Sequence, residues 1–311
     1  MNTGIKVFAP ASVANVACGY DILGFALEKP GDEIIVRFRK EPGLEITKIT
    51  GTKKHKLPLE VELNTAGFAA QRLLEHLGET ERGIEMEIHK KMPFGSGLGS
   101  SAASSVAGVM AINELLRRPL TKRELLPFAV QGEQVADGAY HADNVAPSLL
   151  GGMVFIRDNA TLDVHRVPVP NGLYATVVYP HIKILTKDSR SILSEQVSLK
   201  DSIAQNGNLG GLLIGFYSSN FDLISRSLKD VIIEPQRAQL IDGFYEVQEA
   251  ALAAGAMGCS ISGAGPSIFA LSMNSVIAET VGDAMQKVFD QKEIRNQLFI
   301  SRINQEGAIL L

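Results

Sequence analysis

The sequence predicts an α+β protein of two domains with antiparallel sheets. Three observations carry that prediction. A length of 311 residues leaves room for two domains of ordinary size. A hydrophobic share of 45% against 21% charged residues is too apolar for a disordered chain. Runs of strand period and helix period then alternate along the chain in two halves that share no internal repeat.

The elements follow in order. Strand patterns lie at Ile5–Phe8, Asp32–Arg39, Leu44–Ile49, Ile84–His89 and Met153–Ile156. Between them, apolar spacing of three and four marks helices over Thr65–Leu77, Ser100–Leu116 and Thr121 to about Gly138, with Asn64 and Thr121 as caps. The second of these is Ala-rich and uncharged until Glu114, which predicts burial on most of its surface. After Gly151-Gly152 the pattern changes: a β-branched run at Leu173–Tyr179, then a polar stretch from Lys183 to Ser202. Helices are expected at about Leu209–Phe216, Asp222–Ser227 and Arg237–Ala254. A strand pair, Gly258–Ser262 and Ser267–Leu271, brackets a glycine turn, and a helix at Ser275–Gln291 precedes a last strand at Leu298–Ile303. The domain boundary is expected near residue 165, dividing 1–165 from 166–311.

Composition narrows the function. Thirty basic residues against 34 acidic ones give a net charge of -4, without the basic excess that a nucleic-acid partner requires. The basic clusters, Lys53-Lys54-His55-Lys56 and Arg117-Arg118, read as solvated loop charge. Two cysteines, Cys18 and Cys259, make no disulfide framework and fit a reducing compartment. Met1 to Pro10 has no signal-peptide pattern, and no apolar run reaches the ~18 residues of a membrane span. A cytoplasmic protein without membrane or nucleic-acid partners is therefore expected; the oligomeric state stays open, a homodimer included.

The most informative segment is Pro93-Phe94-Gly95-Ser96-Gly97-Leu98-Gly99-Ser100-Ser101-Ala102-Ala103, between a strand and the buried helix. Glycines let backbone N–H groups approach a phosphate, and a helix N-terminus adds unpaired donors and partial positive charge. Ser100 and Ser101 place hydroxyls where a phosphate or its metal would lie. A Walker loop would need Gly-Lys-Ser/Thr, and no lysine follows Gly99. The dinucleotide fingerprint is formally met at Gly97, Gly99 and Ala102, but the strand and acid required some twenty residues later are replaced by a helix end and a turn at Pro119. A loop closed for packing alone remains open on the loop's own evidence. On the helix from Thr121, Glu133 and Asp137 are four apart and His141 continues the spacing, either as a solvated face or as a functional one.

Two further segments have the same character: Pro10-Ala11-Ser12-Val13-Ala14-Asn15, continuing through Gly19-Tyr20-Asp21, and Ser262-Gly263-Ala264-Gly265-Pro266-Ser267. With the central loop, whose Pro93, Gly97, Leu98, Gly99, Ser100, Ser101 and Ala102 match the family's pattern, they resemble the GHMP kinases in order and over nearly the whole chain. Within the family, the branch that phosphorylates L-homoserine is resembled at Pro10, Ala11, Ser12, Ala14, Asn15, Gly19, Asp21 and Gly24, at His141–Pro147, at Thr186 and Arg190, and at Glu234–Arg237. Tyr20 departs from a usual Phe, and Ala17-Cys18 from a common Gly-Pro.

The resemblance implies a first domain like ribosomal protein S5 domain 2, a ferredoxin-like second domain, and a cleft between them where ATP and the acceptor meet. It implies ATP on the loop Pro93–Ala103, Mg²⁺ on Ser101 and Glu133, and Thr186 near the γ-phosphate. Asp21 would take the acceptor's ammonium and Arg190 and Arg237 its carboxylate. Asn15 and Asn144 would hold its hydroxyl and amino group, with His141, Gly263 and Gly265 completing the shell; His141 is equally readable as a packed histidine. Asp137 keeps the solvated reading. No dedicated base is implied: a loose phosphoryl-transfer transition state can be served by positioning and charge at Ser100, Ser101, Thr186 and the metal. Alternatives are another GHMP kinase, of mevalonate or diphosphocytidyl-methylerythritol type, or a member that binds a ligand without catalysis.

Overall fold

The computed structural model describes residues 4–51, 57–138, 140–184 and 186–311; the lysine cluster at 53–56 lies outside the described residues. In the first domain, β1 (Ile5–Ala14) and β2 (Leu23–Phe38) form a long antiparallel pair. On the other side of β2 lies β4 (Ile84–Lys90), again antiparallel, and beyond it β3 (Leu44–Gly51). The β3–β4 pair is parallel, which corrects the expectation of antiparallel sheets. Its cause is the crossover helix α1 (Thr65–Leu77) between them, since a parallel pair cannot be closed by a tight hairpin. The Asn64 side chain caps α1 by accepting from the N–H groups of Ala66 and Gly67.

The buried helix is α2 (Ser100–Leu115), packed against β1, β2, α1 and α3 (Lys122–Asp137). Its uncharged, Ala-rich sequence permits that, because every face meets protein. Thr121 and Glu124 form a capping box at the start of α3. The short helix α4 (Val145–Leu150) leads to β5 (Met153–Asp158), which pairs with the start of β2, and to β6 (Asp163–Val167), which pairs with β5. The expected division at 165 falls inside β6, and the chain leaves this sheet only after Val167.

In the second domain, β7 (Tyr174–Pro180) is followed by α5 (Thr186–Ser191), α6 (Leu199–Ser218), α7 (Phe221–Ser227), α8 (Glu234–Arg237) and α9 (Phe244–Ala253). Then come β8 (Gly258–Ile261), β9 (Ile268–Ser272), α10 (Ser275–Gln291) and β10 (Asn296–Arg302). The sheet order β10-β7-β9-β8 is the ferredoxin-like arrangement of a βαββαβ unit, with helices α5 to α8 inserted in its first crossover. The single helix expected over Arg237–Ala254 is interrupted at Gly243, whose φ of 86° ends one segment before α9 begins. The polar stretch from 183 to 202 carries α5 and the first turn of α6, whose Ser198 caps Asp201 N–H.

The last strand, β11 (Ile309–Leu310), returns to the edge of β1. The cores also meet where the domains touch: Phe25 of β2 packs edge-on against Phe269 of β9, ring centres 5.9 Å apart. Among the described residues, no helix is long and apolar enough to cross a membrane.

Candidate active site

The three glycine-bearing segments converge at this junction. Ser12 N–H donates to Leu98 O (3.1 Å), Ser262 Oγ to Gly97 O (2.7 Å), Ser267 N–H to Ser96 O (3.2 Å) and Gly263 N–H to Ala14 O (3.1 Å). Gly97 and Gly99 are left-handed, φ 76° and 64°. A Cβ on Gly97 would stand 2.5 Å from Ser262 O, and one on Gly99 2.4 Å from Ser12 Oγ and 2.8 Å from Asn144 Oδ1. Close approach of the neighbouring segments thus demands glycine at both, whereas Gly95 faces open space. Packing and ligand access are not alternatives here, because both closely packed glycines also line the cavity.

That cavity has a volume of about 580 Å³ and lies against the first turn of α2, where helix N–H groups have no intrahelical partner. Its lining includes Phe94, Gly95, Ser96, Gly97, Gly99, Ser100 and Ser101 from the predicted loop, and also Asn15, Asp21, Glu133, His141, Asn144, Arg190, Arg237 and Gly263. Of the expected site residues, Pro93, Leu98, Ala102, Ala103 and Gly265 are not in the lining. Leu98, Ala102 and Ala103 are wholly buried in the core, where they hold the loop's shape. Thr186 begins α5, and its side chain, like that of Asp137, lies outside the described residues.

Ser101 Oγ donates to Glu133 Oε1 at 2.8 Å, so α2 and α3 bring a hydroxyl and a buried carboxylate together beside the helix terminus. Hard oxygen donors, few in number, suit Mg²⁺, which takes its remaining ligands from water and phosphate. Among the described residues, no group of three acidic, His or Cys side chains could hold a metal. The Ser100 hydroxyl turns inward instead, 3.4 Å from Asp32 Oδ2.

Sequence reasoning missed what lies beneath the loop. Lys90 Nζ forms a buried ion pair with Asp32 and donates to Ser100 O (2.7 Å) and Ser104 Oγ (2.6 Å). Asp32 Oδ1 accepts from the N–H groups of Lys91 (2.8 Å) and Met92 (3.2 Å). The pair thereby ties the end of β4 to the first turn of α2. Two adjacent-looking charges in a strand pattern carry no signal of this until β2 and β4 are paired. The cavity's apolar end, with Leu57, Pro58, Leu63 and Ile88, was likewise illegible, as was Asp143 in its lining.

The charged end is built around Asp21. Arg190 clasps it through both Nη atoms at 3.0 Å each, and His141 Nε2 stands 3.7 Å from the same carboxylate. Asp21 and Arg190 are therefore one bidentate pair, where the sequence suggested separate readers of ammonium and carboxylate. Burial works against the Arg190 charge, but the hydrogen bonds and charge of Asp21 outweigh it and raise its pKa. Arg237 is more committed still: Nε donates to Ser189 O (3.0 Å), Nη1 to Gly263 O (2.9 Å) and Nη2 to the Tyr20 hydroxyl (3.3 Å). Burial lowers its pKa. Asn15 donates through Nδ2 to Gly263 O (2.9 Å) and accepts Asp21 N–H (3.1 Å), and Asn144 accepts from Ser12 Oγ (2.9 Å). Arg190 Nε and His141 Nδ1 are buried without a hydrogen-bond partner among the described residues. Asn15, Val16 and Ala17 all have positive φ (72°, 44° and 60°), a run of strained backbone at the site's edge.

A glycine loop on a helix terminus, a hydroxyl–carboxylate pair and a zwitterion-sized charged pocket in one interdomain cavity define an ATP-dependent small-molecule kinase. Models of the GHMP kinases N terminal domain and GHMP kinases C terminal match residues 64–152 and 212–291. A homoserine kinase of Chlorobium phaeovibrioides is 47% identical, over 99% of this chain and 99% of that protein. The crystal structure of homoserine kinase from Cytophaga hutchinsonii superposes with a TM-score of 0.97 at 52% identity, covering 100% of this chain and 98% of that one. A mevalonate kinase of L. major shares the fold (TM-score 0.73) at 15% identity, covering 97% and 99% of the two chains. The chain belongs to the GHMP kinase family.

Proposed function

We propose that this enzyme transfers the γ-phosphoryl group of ATP to the side-chain hydroxyl of L-homoserine, forming O-phospho-L-homoserine, a step toward threonine. The observation that carries the reading is the cluster of Asp21, Arg190 and Arg237 in the same cavity as the glycine loop. It offers opposite charges to a small zwitterion, which mevalonate and galactose are not.

The apolar end, Leu57, Pro58, Leu63 and Ile88, suits the nucleobase, and the loop and first turn of α2 suit the phosphates. Ser101 and Glu133 would hold Mg²⁺, which supplies charge neutralisation on the phosphates when bound. The acceptor hydroxyl attacks the γ-phosphorus in line, the bond from phosphorus to the β–γ bridging oxygen breaks, and ADP leaves. Fixed donors at the helix terminus stabilise the charge on the transferring group without reorganisation. Arg190 occupies the Asp21 carboxylate, which fits a site that positions its reactants without a dedicated base.

An ADP-release assay with L-homoserine, mevalonate and galactose tests the reading. Turnover is expected with homoserine alone; turnover with mevalonate or galactose instead would discard it. Asp143 is the cavity carboxylate besides Asp21 and Glu133 among the described residues, so Asp143→Asn is where a base would show. That variant is expected to keep the pH profile of kcat.

A further inference from the structure

Tyr20 lies between the two arginines of the charged end. Arg190 Nη1 donates to its hydroxyl oxygen at 3.0 Å and Arg237 Nη2 at 3.3 Å. Both guanidinium groups also stack on the ring, 5.7 Å and 4.9 Å from its centre. A phenol oxygen has two lone pairs and one hydrogen, so two donated bonds fill its accepting capacity. Its own hydrogen is donated to no group among the described residues. Burial, with the nearby Asp21 charge, raises the phenol's pKa, so the hydrogen is retained at neutral pH.

The arginines are short of free donors. Arg237 has given Nε to Ser189 O and one Nη1 hydrogen to Gly263 O. Arg190 has turned its two Nη atoms to Asp21. A carboxylate entering this end needs several donors, and the phenol hydrogen is one whose oxygen is already fixed by two cations.

We propose that Tyr20 is a substrate-binding residue that donates its hydroxyl hydrogen to the α-carboxylate of the amino-acid acceptor, in one cradle with Arg190 and Arg237. This rests on the reading of the acceptor as an amino acid. Phenylalanine at this position would keep the stacking and lose the donor, which makes Tyr20→Phe the variant to examine.

Steady-state kinetics of wild type and Tyr20→Phe are compared with L-homoserine and with 2-amino-1,4-butanediol, in which a hydroxymethyl group replaces the carboxylate. The KM for homoserine should rise about tenfold, the effect of one hydrogen bond to a charged group. kcat and the KM for ATP should change by less than about twofold, as should kcat/KM for the diol. KM does not depend on the active fraction, so the comparison holds even if the variant melts earlier. An unchanged KM for homoserine overturns the inference. So does an equal loss with the diol, which would mark a merely structural residue. A wild-type enzyme inert toward homoserine removes the amino-acid reading and this inference together; an active wild type with an unaltered variant removes this inference alone.

Discussion

Glu133 and Arg237 show how differently two buried charges can be spent at one site. The Glu133 carboxylate accepts from Ser101 at 2.8 Å, and a glutamine could accept that bond equally well, so the substitution isolates charge. Glu133→Gln is expected to cut kcat by two orders of magnitude or more while the KM for homoserine stays within about threefold. Normal turnover of the variant at limiting Mg²⁺ would show that this carboxylate holds no metal. Arg237, by contrast, bonds Ser189 O, Gly263 O and the Tyr20 hydroxyl, so its removal would leave buried acceptors without donors. Its loss would therefore mix stability with binding, which makes it a poor single probe of the acceptor carboxylate.

Among the elements, the loop before α2 and the short helix α8 place these residues. Gly99 has φ 64° and leaves no space for a methyl group beside Ser12 Oγ and Asn144 Oδ1. Gly99→Ala should cost about 1–2 kcal/mol in backbone strain alone and should also break the Ser12–Asn144 bond. The expected result is a lower melting temperature together with a raised KM for ATP. A stable variant with normal ATP affinity would mean that the loop tolerates the displacement. Helix α8, which carries Arg237, is anchored at its other end by Glu234. That carboxylate accepts from Ser260 Oγ and from Gln248 Nε2 (3.0 Å), while Asp230 accepts the N–H groups of Ile232, Ile233 and Glu234 at 2.9 Å each. Burial raises the pKa of Glu234. With the folded value above the unfolded one, the folded state binds the proton more tightly, so this contribution to stability is full below the ordinary carboxylate pKa. It is lost as pH rises through the raised value. Glu234→Gln should flatten that fall, and thermal melts of both proteins between pH 4 and pH 7.5 would reveal it. Parallel curves would mean that Glu234 is hydrated in solution.

At the scale of the molecule, the domains are joined through the site itself. Ser262 Oγ, on the turn of the second domain, donates to Gly97 O on the loop of the first at 2.7 Å. Ser262→Ala should cost about 1 kcal/mol of stability, the net worth of one hydrogen bond. Because that bond joins the two ligand-bearing turns, the KM values for ATP and for the acceptor should both rise. A rise in only one would show that the halves of the cavity are positioned independently. The partnership of Phe25 and Phe269 behind the site argues for the shared movement, since packed cores deform little.

How much could be read beforehand followed the range of the interactions. Helices α1 and α10 were legible to the residue, because periodic apolar faces and the Asn64 and Asn274 caps are local signals. The loop before α2 was legible for the same reason, as was the family it belongs to. Strand β6, the edge strand β11 and the break at Gly243 were not, since each depends on a partner distant in sequence. By itself the sequence determined the two-domain class, the buried α2 and the residue types of the charged pocket, through composition, spacing and turn chemistry. Only the tertiary structure decided that Asp21 is clasped by Arg190, that Lys90 and Asp32 support the loop from beneath, and that Tyr20 sits between two arginines. Those pairings join residues 58 to 217 positions apart. No local pattern encodes them, because they exist only once the strands and domains that carry the partners have packed.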